Sequence, residues 1–425
     1  MTSTPPIANA SRALSHLNLR LLLLYFIALS PSLGTAVSAF GRLFLYITAL
    51  CIFLLSRASK KPKPIQNLQY LTVLILFTIG YMLATVVWSS ASLSESLHAW
   101  TRHARLLTIP ILYMLIRNLS EGRAVLRAFT FGQIFVVLSA WLLVCGVGVP
   151  WATAAAAKET YAVFGSYLEQ SISQSVLVAI LWFQRDWIFG SKGRWIAILG
   201  ALSTLLLTLG FLQGRSGHLV ALTIIGLAVM HELPRQKKWI TVVIVAGVLA
   251  LTLAGSKNFR DRMLSVNTEV AAYSEQTVAG SSSGVRLYYW QVSLLAAIEK
   301  PVFGHGAGSW NYEYRRLGAA KANPSTLSVS DPHQLFLLWA VEGGAVGMGL
   351  LIILFFYMLL HSRYLASHDA HTLQAVIAAL FVSGMFNSMI FGIGMGDFFC
   401  VAMGILLSLN CHMTDRSNQK KHDAN

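Results

Sequence analysis

The sequence predicts an all-α polytopic membrane protein, and three observations carry that reading. Of its 425 residues, 55% are hydrophobic and 12% charged, where a soluble domain carries roughly 25% charged residues. Mean hydropathy is +0.61. The apolar residues gather into runs near the roughly 20 that a membrane-crossing helix needs, and in lipid only helices or closed barrels satisfy their own backbone.

About twelve such runs can be read: 19–36, 41–56, 68–88, 104–117, 124–148, 167–184, 194–212, 216–231, 238–255, 333–361, 371–391 and 394–411. The fourth is short and the first is broken at Pro31. The chain then divides into nine helices over 1–255, a large loop over 256–332, three helices over 333–411 and a tail over 412–425. Arg12 and Arg20 precede an apolar stretch at 21–24 and small residues at 35–39, as in a signal peptide. The many runs that follow favour an uncleaved first helix.

The net charge of +15 is not a nucleic-acid signature, because the basic residues lie between apolar runs. Arg57, Lys60, Lys61 and Lys63, then Arg117, Arg123 and Arg127, then Arg185, Lys192 and Arg194, then Arg235, Lys237 and Lys238, then Arg363 fall on one side of successive spans. Arg12, Arg20, Arg416, Lys420 and Lys421 join them at the termini. By the positive-inside rule that side is cytoplasmic. Arg102, Arg105, Arg215 and the 256–332 loop then face the other side, where the rule does not explain arginines. Cys51, Cys145, Cys400 and Cys411 are scattered in or beside apolar runs, and no disulfide is expected.

The large loop carries helical spacing over 257–273, a small polar linker over 277–284 and an amphipathic helix over 285–299, with Ser282 or Ser283 as N-cap. Its apolar positions are Leu287, Tyr288, Val292, Leu295, Ala296 and Ile298. Lys300-Pro301 stops it, and Gly304, Gly306 and Gly308 predict a turn. Trp310, Tyr312 and Tyr314 suit a membrane interface.

Asp331-Pro332-His333-Gln334 reads as a helix start, with Asp as N-cap, Pro at the first helical position and Gln at the third. His333 would then occupy the first turn, where the helix dipole keeps it neutral and fit to act as a general base. The alternative is an interfacial histidine bonded to backbone. Arg215, between Gly214 and Ser216-Gly217, and Arg286, after Ser283-Gly284, each open a helix. Helix N-termini bind anions and a guanidinium can grip phosphate bidentately. Both arginines could equally snorkel to lipid phosphates. Arg102, His103 and Arg105 form a weaker group of the same kind. His305, on a glycine turn, is the rival base, though a turn role suits it better. His218 reads as a packed histidine. Glu169 and Gln174 could bind hydroxyls, while Asp397 and Glu342 suit neighbouring helices. No spacing points to zinc or to a divalent-metal site, and no phosphate loop predicts ATP; no cofactor is expected.

Four motifs bear a resemblance: Gln213-Gly214-Arg215-Ser216-Gly217; Gly284-Val285-Arg286 with Trp290; 301–308, Pro-Val-Phe-Gly-His-Gly-Ala-Gly; and 331–337, Asp-Pro-His-Gln-Leu-Phe-Leu, followed by Glu342-Gly343-Gly344-Ala345-Val346-Gly347. With a many-span chain and one large late loop, they resemble the O-antigen ligase and polymerase superfamily of bacterial envelopes, over about 160–411 and most strongly over 284–347. The resemblance implies a metal- and ATP-independent inverting glycosyltransferase with the GT-C-like fold of lipid-linked-donor enzymes. It would sit in the inner membrane with both termini cytoplasmic and its site facing the periplasm. The implied donor is a polysaccharide on undecaprenyl diphosphate, and the implied acceptor is lipid A–core; membrane lipids are partners and nucleic acid is not. Arg215 and Arg286 would hold the diphosphate, with Arg102 and Arg105 as further candidates. His333 would deprotonate the acceptor, and Gln174 would bind hydroxyls. Relatives often carry Asn where this chain has Gln334. The basic loop residues Lys257, Arg260, Arg262, Arg315, Arg316 and Lys321 would meet a phosphorylated core or lipid headgroups.

The same motifs admit an O-antigen polymerase, for which the spacing from Arg215 to Gly226 is a weak signal, or a protein O-oligosaccharyltransferase. A lipid-linked sugar transporter is the rival of another class. It would place ionisable residues deep in the bundle and broken helices in paired halves.

Overall fold

The computed structural model describes residues 19–55, 66–255, 282–318 and 331–409, with Arg260 and Val329. The expected helix at 257–273, the linker up to 281, and Lys257, Arg262 and Lys321 lie outside the described residues. Every described regular element is a helix. In order they are α1 (Leu19–Ser32), α2 (Thr35–Leu55), α3 (Gln66–Ala84), α4 (Leu93–His103), α5 (Thr108–Leu115), α6 (Leu119–Val144) and the single turn α7 (Ala157–Thr160). There follow α8 (Tyr167–Phe183), α9 (Arg194–Gly210), α10 (Arg215–Glu232), α11 (Ile240–Gly255), α12 (Ser282–Glu299), α13 (Trp310–Gly318), α14 (Leu335–His361), α15 (Ser367–Gly384) and α16 (Ile393–Ser408).

Four helices among the described residues are long and apolar enough to cross a membrane: Thr35–Ile52, Leu68–Trp88, Leu119–Val144 and Leu335–Tyr364. Shorter apolar helices occupy Leu19–Ser32, Arg194–Gly210, Ile240–Gly255 and Ile393–Ser408. The chain is thus a multi-pass membrane protein.

Helix α16 lies at the centre, with Phe398, Phe399, Cys400, Met403 and Leu406 all buried. It has no polar face because protein surrounds it. Small residues let neighbours close in: a Cβ on Gly404 would sit 3.0 Å from the Leu112 side chain of α5. The predicted short run at 104–117 is this α5, entered by a 3-10 turn at Ala104–Leu107. It runs beside α16, from Arg105 at the carbonyls of Ile390–Gly392 to Leu115, whose carbonyl accepts from Arg20.

Helix α14 is broken at Gly344, where φ is 62° and ψ −161°. The 301–308 segment repairs the break. Val341 O accepts from His305 N–H at 2.7 Å, Glu342 O accepts from Gly306 N–H at 2.9 Å, and Ala345 N–H donates to Pro301 O at 2.8 Å. The Glu342 carboxylate accepts from Gly308 N–H at 2.9 Å and meets His103 Nε2 at 2.7 Å. The backbones approach so closely that a Cβ on Gly344 would lie 2.3 Å from Val302 O. Broken helices persist at membrane depth only where protein satisfies the freed groups.

Above this repair sits a small second core. Tyr288, Tyr289, Val292 and Ala296 of α12 pack on Trp310 and Tyr314 of α13 and Leu338 of α14. This revises two expectations. Trp310 and Tyr314 are 1% and 0% exposed and stacked at 5.1 Å, so they build this second core rather than face an interface; Tyr312 alone of the three is exposed. On α12, Leu295 and Ile298 point outward.

Candidate functional site

Charge separates to the two ends of the bundle. At one end, Arg20 holds Glu121 with Nη1–Oε2 at 3.0 Å. Arg123 grips Asp369 bidentately at 2.6 and 2.7 Å, and Gln184 donates to the same carboxylate at 3.0 Å. At the other end lies a cavity of about 430 Å³, a size that suits a small-molecule group. Arg102, Arg286, Asp331, His333 and Glu169 line it, with 387–389 and 391–393 forming one wall.

His333 does not occupy the first turn of α14, contrary to the sequence reading. The helix starts at Leu335, and Gln334 is its N-cap, accepting from Leu337 N–H. His333 stands just ahead with φ 51°, a left-handed conformation costing roughly 1–2 kcal/mol in an L-residue. Asp331 Oδ1 holds it by accepting the His333 N–H at 2.8 Å. Pro332 disfavours helical conformation in the residue before it, and the single amide side chain of Gln334 suffices to start the helix. The imidazole is partly exposed to the cavity, its Nδ1 3.4 Å from Asp331 Oδ1. Burial pushes its pKa below the ordinary imidazole value; Asp331 opposes this and the Arg286 guanidinium adds to it. The ring is therefore neutral at neutral pH and able to accept a proton.

Arg286 enters from the first turns of α12. Arg102 enters from the last turn of α4, its guanidinium 4.4 Å over the Phe391 ring and 3.2 Å from His98 Nε2. Its Nε has no hydrogen-bond partner among the described residues. Burial lowers its pKa, and Asp331 and Glu342 counter that. Arg215 does not line the cavity. Its Nη1 donates to Ser283 Oγ at 2.7 Å, which ties the start of α10 to the start of α12, one turn from Arg286. The next residue, Ser216, accepts at 2.8 Å from Asn387, which does line it. The glycines flanking Arg215 serve packing. A Cβ on Gly214 or Gly217 would fall 2.2 or 2.0 Å from Ser171 Oγ of α8.

Other candidates stand elsewhere. Arg105 is 4% exposed and donates to the carbonyls of Phe391 and Gly392 at 2.9 and 2.6 Å. It shapes the cavity wall without lining it. Gln174 is fully buried, with Thr208 donating to its Oε1 at 3.3 Å. Glu169, which the sequence paired with Gln174, does line the cavity. His305, the rival base, is buried between Ala296 O at 2.8 Å and Glu313 Oε1 at 2.9 Å. His218 is buried against Thr208 O and Leu212 O. Asp397 binds Ser38 and Arg42. Glu299, His305 and Glu313 bring ligand-type atoms within 4.8 Å of one another, and Arg316 pairs with both carboxylates there. Sequence reading took Asp331 as a cap and passed over Asn387 and Ser388. Only Asp331 carried a signal, its two-residue spacing from His333.

Comparison with known proteins bears on the same region. Residues 200–352 match the family model Wzy_C, O-antigen ligase. An uncharacterized protein of Haemophilus influenzae is 25% identical over 202 residues, 47% of this chain and 50% of that relative. The match thus spans half of the relative's length.

Proposed function

We propose that this chain, a member of the O-antigen ligase/polymerase superfamily through residues 200–352, is the ligase of lipopolysaccharide assembly. It transfers O-antigen polysaccharide from undecaprenyl diphosphate to a sugar hydroxyl of lipid A–core. The observation that supports this best is one cavity lined by His333 and two arginines from separate helices, Arg102 and Arg286.

Diphosphate leaves readily once its charge is neutralised, and pre-set cations do this without reorganising. Arg286 and Arg102 hold the diphosphate oxygens, with Arg215 bracing the cradle at its margin. His333 Nε2 takes the proton of the acceptor hydroxyl as its oxygen attacks the anomeric carbon. Attack opposite the diphosphate inverts that carbon. An apolar groove of about 840 Å³ between α8, α9, α10 and α11 suits a lipid-linked donor. The cavity end faces the periplasm of the inner membrane in this reading, and both termini face the cytoplasm.

The test is transfer by the purified protein from undecaprenyl-diphosphate-linked polysaccharide, offered either lipid A–core or a second copy of the donor. Transfer to lipid A–core is expected; growth of the donor alone would make the chain a polymerase. His333→Ala should lower transfer about 10²–10⁴-fold, while His305→Ala should chiefly lower the melting temperature.

A further inference from the structure

We propose that Asp331 is the positioning residue for His333: it fixes the ring so that Nε2 faces the acceptor, and its charge stabilises the imidazolium formed during transfer. The assignment rests on the reading of His333 as the base. Its geometry is independent of that reading. One carboxylate oxygen, Oδ1, accepts the His333 backbone N–H at 2.8 Å and lies 3.4 Å from Nδ1 of the same residue. The left-handed backbone at His333, φ 51°, and the intervening Pro332 curl the ring back toward the carboxylate. The Asp331 side chain is 16% exposed, where a charge acts more strongly than in water.

At 3.4 Å the carboxylate acts on Nδ1 through its charge, which favours the tautomer that carries its hydrogen there and leaves the Nε2 lone pair for the substrate. In the step itself, the acceptor O–H proton passes to Nε2. The oxygen bonds to the anomeric carbon, and the bond from that carbon to the diphosphate oxygen breaks with its electron pair on the leaving group. The imidazolium then returns its proton to water. Asp331 stays ionised throughout. The other groups facing this ring are Arg286 from α12, which disfavours its protonation, and Tyr289, with ring centroids 6.0 Å apart. Arg102 from α4 and Glu169 from α8 line the same cavity. Asn387, Ser388 and Met389 on the wall carry no charge.

Asp331→Asn separates the two things this carboxylate does. An amide oxygen still accepts the His333 N–H, so the turn survives, but the charge is gone. The full chain in nanodiscs would be assayed with undecaprenyl-diphosphate-linked polysaccharide and lipid A–core across pH. Asp331→Asn should keep the wild-type melting temperature, lose about 10–100-fold in rate, and shift the acid limb of kcat/KM to lower pH. Asp331→Glu should recover part of the rate. A wild-type rate and limb in Asp331→Asn would reduce Asp331 to holding the turn. A slower enzyme with an unmoved limb would equally overturn the charge assignment. Full activity in His333→Ala is a different failure, which removes the base and this assignment with it.

Discussion

The two ends of the helical bundle hold arginines in opposite ways. At the end of Arg20 and Arg123, each guanidinium closes on a carboxylate, Glu121 or Asp369, and Gln184 saturates the second pair. At the other end, Arg102 and Arg286 border a cavity of about 430 Å³, and the Arg102 guanidinium rests on the Phe391 ring. The same residue type is structural where the fold supplies its anion. In the proposed function it is a binding group where it borders a cavity that admits an anion.

The largest expected effect comes from the cavity end. Arg286→Ala should lower transfer about 10²–10³-fold with little change in melting temperature. Collapse of the fold, with normal transfer by the folded remainder, would erase the contrast. The converse change, Asp369→Ala, takes the carboxylate from Arg123 and leaves it Gln184 and His368; it should cost about 3 kcal/mol of stability, read by thermal unfolding in detergent. Transfer per folded molecule should stay at the wild-type level. Arg102→Ala removes a guanidinium at the cavity edge and should weaken donor binding by about 1.5–3 kcal/mol. Titration with undecaprenyl diphosphate checks this, and Arg102→Lys should fall between the two.

The smallest effect is on pH. The His333 imidazole binds protons less readily in the folded chain than in the unfolded one. Above the ordinary imidazole value both states are neutral, so stability is level. As pH falls through that value toward the depressed one, the unfolded state takes up more protons and stability declines. The melting temperature should therefore drop slightly over that window, and His333→Ala should flatten the drop. Transfer should hold constant above the depressed value and fall about tenfold per pH unit below it.

The helical class and the placing of helices along the chain were legible, because apolar runs of the right length admit few other structures. Arg286 and His333 were legible as residues of one face, and both line one cavity, because each sits beside a helix start in the large-loop region. Arg215 was legible as a helix start, but its glycines misled. Their spacing suits an anion, yet Ser171 of α8 occupies the space they leave. Trp310 and Tyr314 misled likewise, since an aromatic suits an interface and a buried cap equally well. Arg102 and Arg105 lie three residues apart and looked equivalent. One lines the cavity and the other is consumed by the carbonyls of 390–392, a difference set by residues almost 300 positions away in the chain.

The glycines at 304, 306, 308, 343 and 344 mark the boundary between the two kinds of knowledge. The sequence by itself determined that a turn lies at 304–308 and that the chain re-enters an apolar helix near 333, since both follow from local chemistry. Only the tertiary structure decided that the turn serves to mend a break at Gly344. Likewise, a helix start was evident at 331–335, but not that His333 stands outside it in a left-handed turn held by Asp331. Local sequence settles which backbone conformations are cheap. Which of them is adopted depends on the hydrogen bonds and space that distant segments supply, and those exist only once the chain has packed.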